Sequence, residues 1–228
     1  MTIGDVLLSL LPEILKNLRD AIPRSLSKWR LRKFFGSSAV GGTDIHIVLD
    51  PYQHPLPRTG NRYIKRFFGR RNDQPLIGED NVLGINAIRV VNYAVSLFSL
   101  YRKHDDPLRI SLDEDVRDLW DGTFLCFGSS DSNIKSLDIE NLHENNFYSF
   151  QFDAQGQRCF NVRGEQFSIH NQEDVGIILK LRNPYHPEHS LFICAGLGEW
   201  GTSGSAYFCF IIGKQSIDKP EDVIFARL

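Results

Sequence analysis

At 228 residues the chain can bury one substantial core with a small appendage. An apolar share of 42% with 24% charged residues is an ordinary globular balance and excludes wholesale disorder. The net charge of −2 gives no reason to expect a nucleic-acid binder, and no apolar run reaches the roughly 18 residues of a membrane span.

Charge is unevenly spread: residues 1–36 carry +4 and the remainder −6. Residues 3–15 are apolar enough for a signal sequence, but Asp5 stands where a basic residue belongs. Residues 12–35 read as one or two amphipathic helices with a basic face: Lys16, Arg19, Arg24, Lys28, Arg30, Arg32 and Lys33 oppose Leu15, Leu18, Ile22, Leu26, Trp29 and Phe34. The favoured reading packs this segment on the domain or on a sister subunit. An acidic membrane surface, a protein partner and nucleic acid are lesser alternatives. The glycine- and serine-rich residues 36–42 form a linker, so the main domain is expected over residues 43–228.

Residues 44–50 read as the first strand, closed by Pro51. Asp50 then lies at a strand's carboxyl end, where open α/β sheets bind ligands, and is assigned to a ribose hydroxyl. His46 reads as a satisfied core histidine. Residues 58–71 interleave Arg58, Arg62, Lys65, Arg66, Arg70 and Arg71 with Tyr63, Phe67 and Phe68; a solvated loop is preferred over a nucleic-acid contact. Residues 80–103 carry Val82, Ile85, Ile88, Val91, Val95 and Phe98 at helical spacing, with Asp80 as N-cap. A strand over 109–113 leads into an acidic patch expected to solvate a loop or a first helical turn.

Residues 123–127 form the next expected strand. The turn after it, with Gly128, Ser129, Ser130 and Asn133, makes a hydrogen-bonding shelf for ribose or phosphate before a helix over 134–142. Residues 147–170 alternate like a β-hairpin or three-strand meander, an insertion or antiparallel edge. A strand over 174–181 follows. His186, Glu188 and His189 lie in a proline-rich turn with no third spaced ligand, so no metal centre is predicted. The cysteines at 126, 159, 194 and 209 also lack metal spacing and read as reduced thiols of a cytoplasmic protein.

A buried strand over 191–195 then enters G-x-G-x-x-G, with Gly196, Gly198 and Gly201, and a helix over 202–212. Such a turn lets backbone N–H groups meet a phosphate at a helix N-terminus, with Thr202 and Ser203 adding hydroxyls. The phosphate-binding lysine of a P-loop is absent, and the turn sits near the C-terminus rather than in a first βαβ unit. Residues 201–205, Gly-Thr-Ser-Gly-Ser, are also similar to the turn around the nucleophile of trypsin-like proteases, with Ser203 in that place.

Two strand–turn–helix units in an α/β chain predict a largely parallel, Rossmann-like sheet with helices on both faces. They resemble the nucleotide-binding domains of the TIR, nucleoside deoxyribosyltransferase and SLOG group, over residues 43–228 in architecture. The glycine turn is similar to the Gly-Gly-x-Gly-Thr of the last, through Gly198, Gly201 and Thr202. The resemblance implies NAD, a nucleoside or a signalling nucleotide as ligand and, in some members, N-glycosidic cleavage or NAD hydrolysis by a glutamate. Glu199 is the acid placed for that role, and Trp200 stacks on a base or caps the core. The expected function is thus a nucleotide sensor or nucleotide-processing effector. The alternatives are a non-catalytic assembly module docking through residues 1–36, as a homo-oligomer or on a partner protein, and a serine hydrolase using Ser203.

Overall fold

The computed structural model describes residues 26–36, 41, 44–50, 85–101, 108–169, 173–198, 200–215 and 222–227. The basic-aromatic stretch 58–71, the Asp80 cap, Glu199 and most of the N-terminal amphipathic segment lie outside them. In chain order the elements are α1 (26–35), β1 (Ile45–Leu49), α2 (Ile85–Phe98), β2 (Arg109–Leu112), β3 (Thr123–Phe127) and α3 (Ile134–Glu140). Then come β4 (Tyr148–Phe152), β5 (Arg158–Val162), β6 (Glu165–Ser168), β7 (Val175–Arg182), β8 (Ser190–Gly196), α4 (Gly201–Gln215) and β9 (Asp222–Arg227).

Six strands make one sheet in the order β2-β1-β3-β8-β7-β9. Strands β2, β1, β3 and β8 are parallel, and β7 runs antiparallel to both β8 and β9. The fold is α/β with a mostly parallel, mixed sheet, as the sequence predicts. Strands β1 and β3 are buried at every position, as continuous apolar runs in the middle of a covered parallel sheet must be.

Alternation along each strand feeds two separate cores. Ile45, Ile47, Leu49, Leu125, Phe127, Phe192 and Cys194 meet α1, α2 and α4. Val48, Phe124, Cys126, Leu191, Ile193 and Ala195 meet the opposite layer, α3 and the antiparallel sheet β4-β5-β6. The meander expected over 147–170 is therefore a second small sheet that covers one face of the first.

The end of α1 is core rather than appendage. Leu31 and Phe35 are wholly buried, with the Phe35 ring 5.3 Å from both Phe98 and Phe192. Gly36, at φ 92°, donates its N–H to Arg32 O at 2.9 Å and stops the helix in the left-handed conformation glycine favours. The stripe that α2 buries is Ala87, Val90, Ala94, Leu97 and Phe98, whereas Ile88 and Val95 are exposed. Of the residues read as the apolar face, Phe98 is in the core and Val91 packs against it, whereas Ile88 and Val95 point away and Ala87 and Ala94 take the inward places.

Lys135 is wholly buried, and its ammonium is held by backbone carbonyls and rings while Asp138, Asp118 and Asp121 act on it only through their charge. Its ammonium donates to Arg117 O and Leu119 O and lies 3.5 Å from the centre of the Trp120 ring. Burial nonetheless lowers its pKa to about 8. His46 is buried and stacked on Phe124 at 4.8 Å, but its Nδ1 has no hydrogen-bond partner among the described residues. Burial first, then Arg109, lowers its pKa and favours the neutral ring.

Candidate functional site

The chain leaves β1 toward β2 on one side and later reaches β3 on the other, so strand order reverses between β1 and β3. A reversal of this kind opens a crevice at the carboxyl edge of the sheet. Asp50 follows β1 there, and Gly128 follows β3. A side chain built on Gly128 would come within 3.6 Å of Asp50 Cγ and 2.8 Å of Ser132 Oγ. Gly128 also has φ +119°, which L side chains avoid, and the side chains of Ser132, Asn133 and Asp50 pack closely against it.

The shelf after β3 spends most of its polar groups on its own shape. Asn133 caps α3: its Oδ1 accepts Ser136 N–H at 2.9 Å, and its Nδ2 donates to Phe127 O at 3.2 Å. Asp113, wholly buried at the end of β2, accepts Ile134 N–H at 2.7 Å. That acid therefore serves both its own turn, where Oδ1 accepts Glu114 N–H at 3.1 Å, and a helix more than twenty residues on. Ser129 donates to Asp131 at 2.5 Å, and Ser130 is buried against Glu140.

The glycine turn is occupied too, by a carboxylate of the same chain. Asp174 Oδ1 accepts the N–H groups of Gly198 at 2.8 Å and Val175 at 2.7 Å. Its Oδ2 accepts those of Trp200 at 2.9 Å and Gly201 at 2.6 Å. The amides assigned above to a phosphate thus hold an internal anion, which satisfies the N-terminus of α4 as a phosphate would. The glycines serve close packing: a Cβ on Gly196 would meet Gly201 C and Thr202 N at 2.2 Å. Thr202 O is engaged as well, accepting Ser205 Oγ at 2.9 Å.

Arg158 joins the two turns. It lies on the inward face of β5 and donates to Leu197 O at 3.1 Å from one end of its guanidinium. The other end donates to Ser129 Oγ at 3.4 Å and pairs with Asp131. The two turns are therefore neighbours on one sheet edge, with a cation spanning them.

Ser203 is buried and donates to Trp200 O at 3.2 Å; among the described residues no histidine is hydrogen-bonded to it. His46 and His189 lie at the opposite, amino edge, where His189 Nδ1 is 3.4 Å from Thr123 Oγ1. Glu188 Oε1 stands 3.4 Å from His186 Nδ1 and 3.7 Å from His189 Nε2. The Trp200 ring is 52% exposed and carries the Arg89 guanidinium 4.3 Å from its centre, so it sits on the surface of the helical layer rather than capping the core.

Two residues that order this edge, Asp174 and Arg158, escape a reading by motif. Arg158 had a signal: it alternates with Phe160 and Val162, a cation in an inward register. Asp174 had none, because its partners lie across the antiparallel pairing of β7 with β8.

The molecule is an α/β domain built on a mixed sheet whose strand order reverses between β1 and β3. Compared with known proteins, the chain matches no family model, no curated protein and no solved structure.

Proposed function

We propose that this protein is a nucleotide-binding α/β domain, acting as sensor or nucleotide-processing effector, with its ligand across the carboxyl ends of β1 and β3. The observation that carries the reading is the approach of Asp50 to the side-chain-free Gly128 at the strand-order reversal. Asp50 is the acceptor for a ribose hydroxyl, and Arg158 the nearby cation for a phosphate. The glycine turn, filled by Asp174, supports the fold of this edge and leaves anion recognition to Arg158. Calorimetry against NAD, ATP and cyclic dinucleotides tests the reading. One of them is expected to bind, at least tenfold more weakly to Asp50→Ala; absence of heat with every probe overturns it.

A second reading is an assembly module docking through residues 1–36. It draws support from Leu26 and Trp29, 50% and 55% exposed on α1, the helix whose other side anchors the core. Deleting residues 1–36 would remove Leu31, Phe34 and Phe35, so a double substitution, Leu26→Ser with Trp29→Ser, is the cleaner test. Sedimentation would show an oligomer for the wild type and a smaller species for the variant; identical profiles would dismiss the module.

A further inference from the structure

Three buried polar atoms without a hydrogen-bond partner among the described residues, Glu140 Oε2, Tyr148 Oη and Arg158 Nε, belong to side chains placed around Phe150 and Phe160 of the small sheet. The Glu140 carboxylate is held by Phe150 N–H, which donates to Oε1 at 2.9 Å, and by the Ser130 hydroxyl. Tyr148 precedes Phe150 by two residues on the same face of β4, and its ring lies 5.8 Å from Phe160. The Arg158 guanidinium lies 5.4 Å from the centre of the Phe150 ring. Tyr148 is only 4% exposed, and its hydroxyl feels the charges of Glu140, Asp131 and Arg158. Buried polar atoms are nearly always satisfied, so three unpaired ones around the same two rings mark a place for a guest.

We infer that Glu140, Tyr148 and Arg158 bind one uncharged hydroxyl group of a small molecule, of the sugar-hydroxyl class. The donor inventory selects it. Arg158 Nε–H can only donate, and Glu140 Oε2 accepts when the carboxyl is ionised, a form that burial makes less favourable. A phosphate oxygen cannot serve Glu140, and an ammonium cannot serve Arg158. A hydroxyl donates one hydrogen bond and accepts two, which matches the set. The inference deepens the nucleotide reading and rests on it for the rest of the ligand: Arg158 reaches the crevice loop with its terminal nitrogens while its Nε serves this point.

The test compares wild type, Tyr148→Phe, Glu140→Gln and Asp50→Ala by thermal shift with D-ribose and by calorimetry with ATP and NAD. Tyr148→Phe is expected to melt no lower than wild type without ligand, because an unpaired hydroxyl is removed. It should also respond to ribose and to a bound nucleotide about tenfold more weakly, the factor one lost hydrogen bond carries. If Tyr148→Phe lowers the ligand-free melting temperature and leaves the ribose response unchanged, a resident water completes the cluster and the inference is overturned. Nucleotide binding that needs Asp50 but ignores Tyr148 and Glu140 overturns it while sparing the nucleotide reading. A Tyr148-dependent ribose response with no nucleotide binding does the reverse.

Discussion

Asp174 Oδ2 accepts the amide N–H of Gly201 at 2.6 Å. With the bonds to Gly198 and Trp200, this one side chain satisfies three backbone donors where β8 passes into α4, and a fourth, Val175 N–H, at the start of β7. Asp174→Ala should destabilise the fold by about 3 kcal/mol or more, since buried donors lose a charged acceptor. The same variant uncovers an anion site at a helix N-terminus. Added sulfate should then raise its melting temperature more than that of the wild type; equal salt responses would show that the turn collapses instead.

Gly196 and Gly156 separate two uses of glycine. A Cβ on Gly196 would meet backbone atoms at 2.2 Å, which no side-chain movement relieves. Gly196→Ala should therefore cost upward of about 3 kcal/mol or prevent soluble folding. Gly156 has φ +75° and open space around it, so Gly156→Ala meets only the left-handed penalty of about 1 kcal/mol. Chemical denaturation of the two variants would reveal the contrast, and similar midpoints would refute it.

These positions also show where the sequence is legible. Strands β1, β3 and β8 are apolar runs without charge, and burial in a parallel sheet is the one setting such runs fit. Asp50 and Gly128 stand directly after β1 and β3 as read, because a strand's carboxyl end is a local feature. The phosphate assignment of Gly198, Trp200 and Gly201 failed to foresee Asp174 because an occupied turn and a vacant one have the same spacing. Only the antiparallel return of β7 beside β8 brings residue 174 to residue 201, and register across strands distant in sequence is not written in either one. The face of α2 is only partly legible for a related reason: bulk at Ile88 and Val95 outweighs Ala87 and Ala94 in the pattern, although Val91 and Phe98 fall on the packed side as read.

Lys135 predicts a pH response with a definite sign. Its folded-state pKa is about 8, below the ordinary 10.5, because burial disfavours the ammonium. Between those values the unfolded chain holds a proton that the folded chain has released, so stability rises with pH across that window. The slope approaches roughly 1.4 kcal/mol per pH unit for a single group. Urea melts of wild type and Lys135→Met at pH 8 and pH 10 should diverge by this rise, present only in the wild type. A wild-type curve that is flat or falling relative to the variant would contradict it.

Arg158 makes the two turns one unit, and its contribution can be isolated. Its side chain is 39% exposed, so the ion pair with Asp131 is partly screened and is worth less than a buried pair. The bonds to Leu197 O and Ser129 Oγ add a tie that a lysine, with one point charge, cannot reproduce. Arg158→Met should cost about 1–3 kcal/mol, and Arg158→Lys should recover less than half of that. A double-mutant cycle with Asp131→Ala should return a coupling of about 1 kcal/mol. Hydrogen exchange gives the local readout: amides in the loop 129–132 and at residue 198 should lose protection together in Arg158→Met. Faster exchange in the loop alone would mean that the arginine belongs to Asp131 and does not bind the two turns to each other.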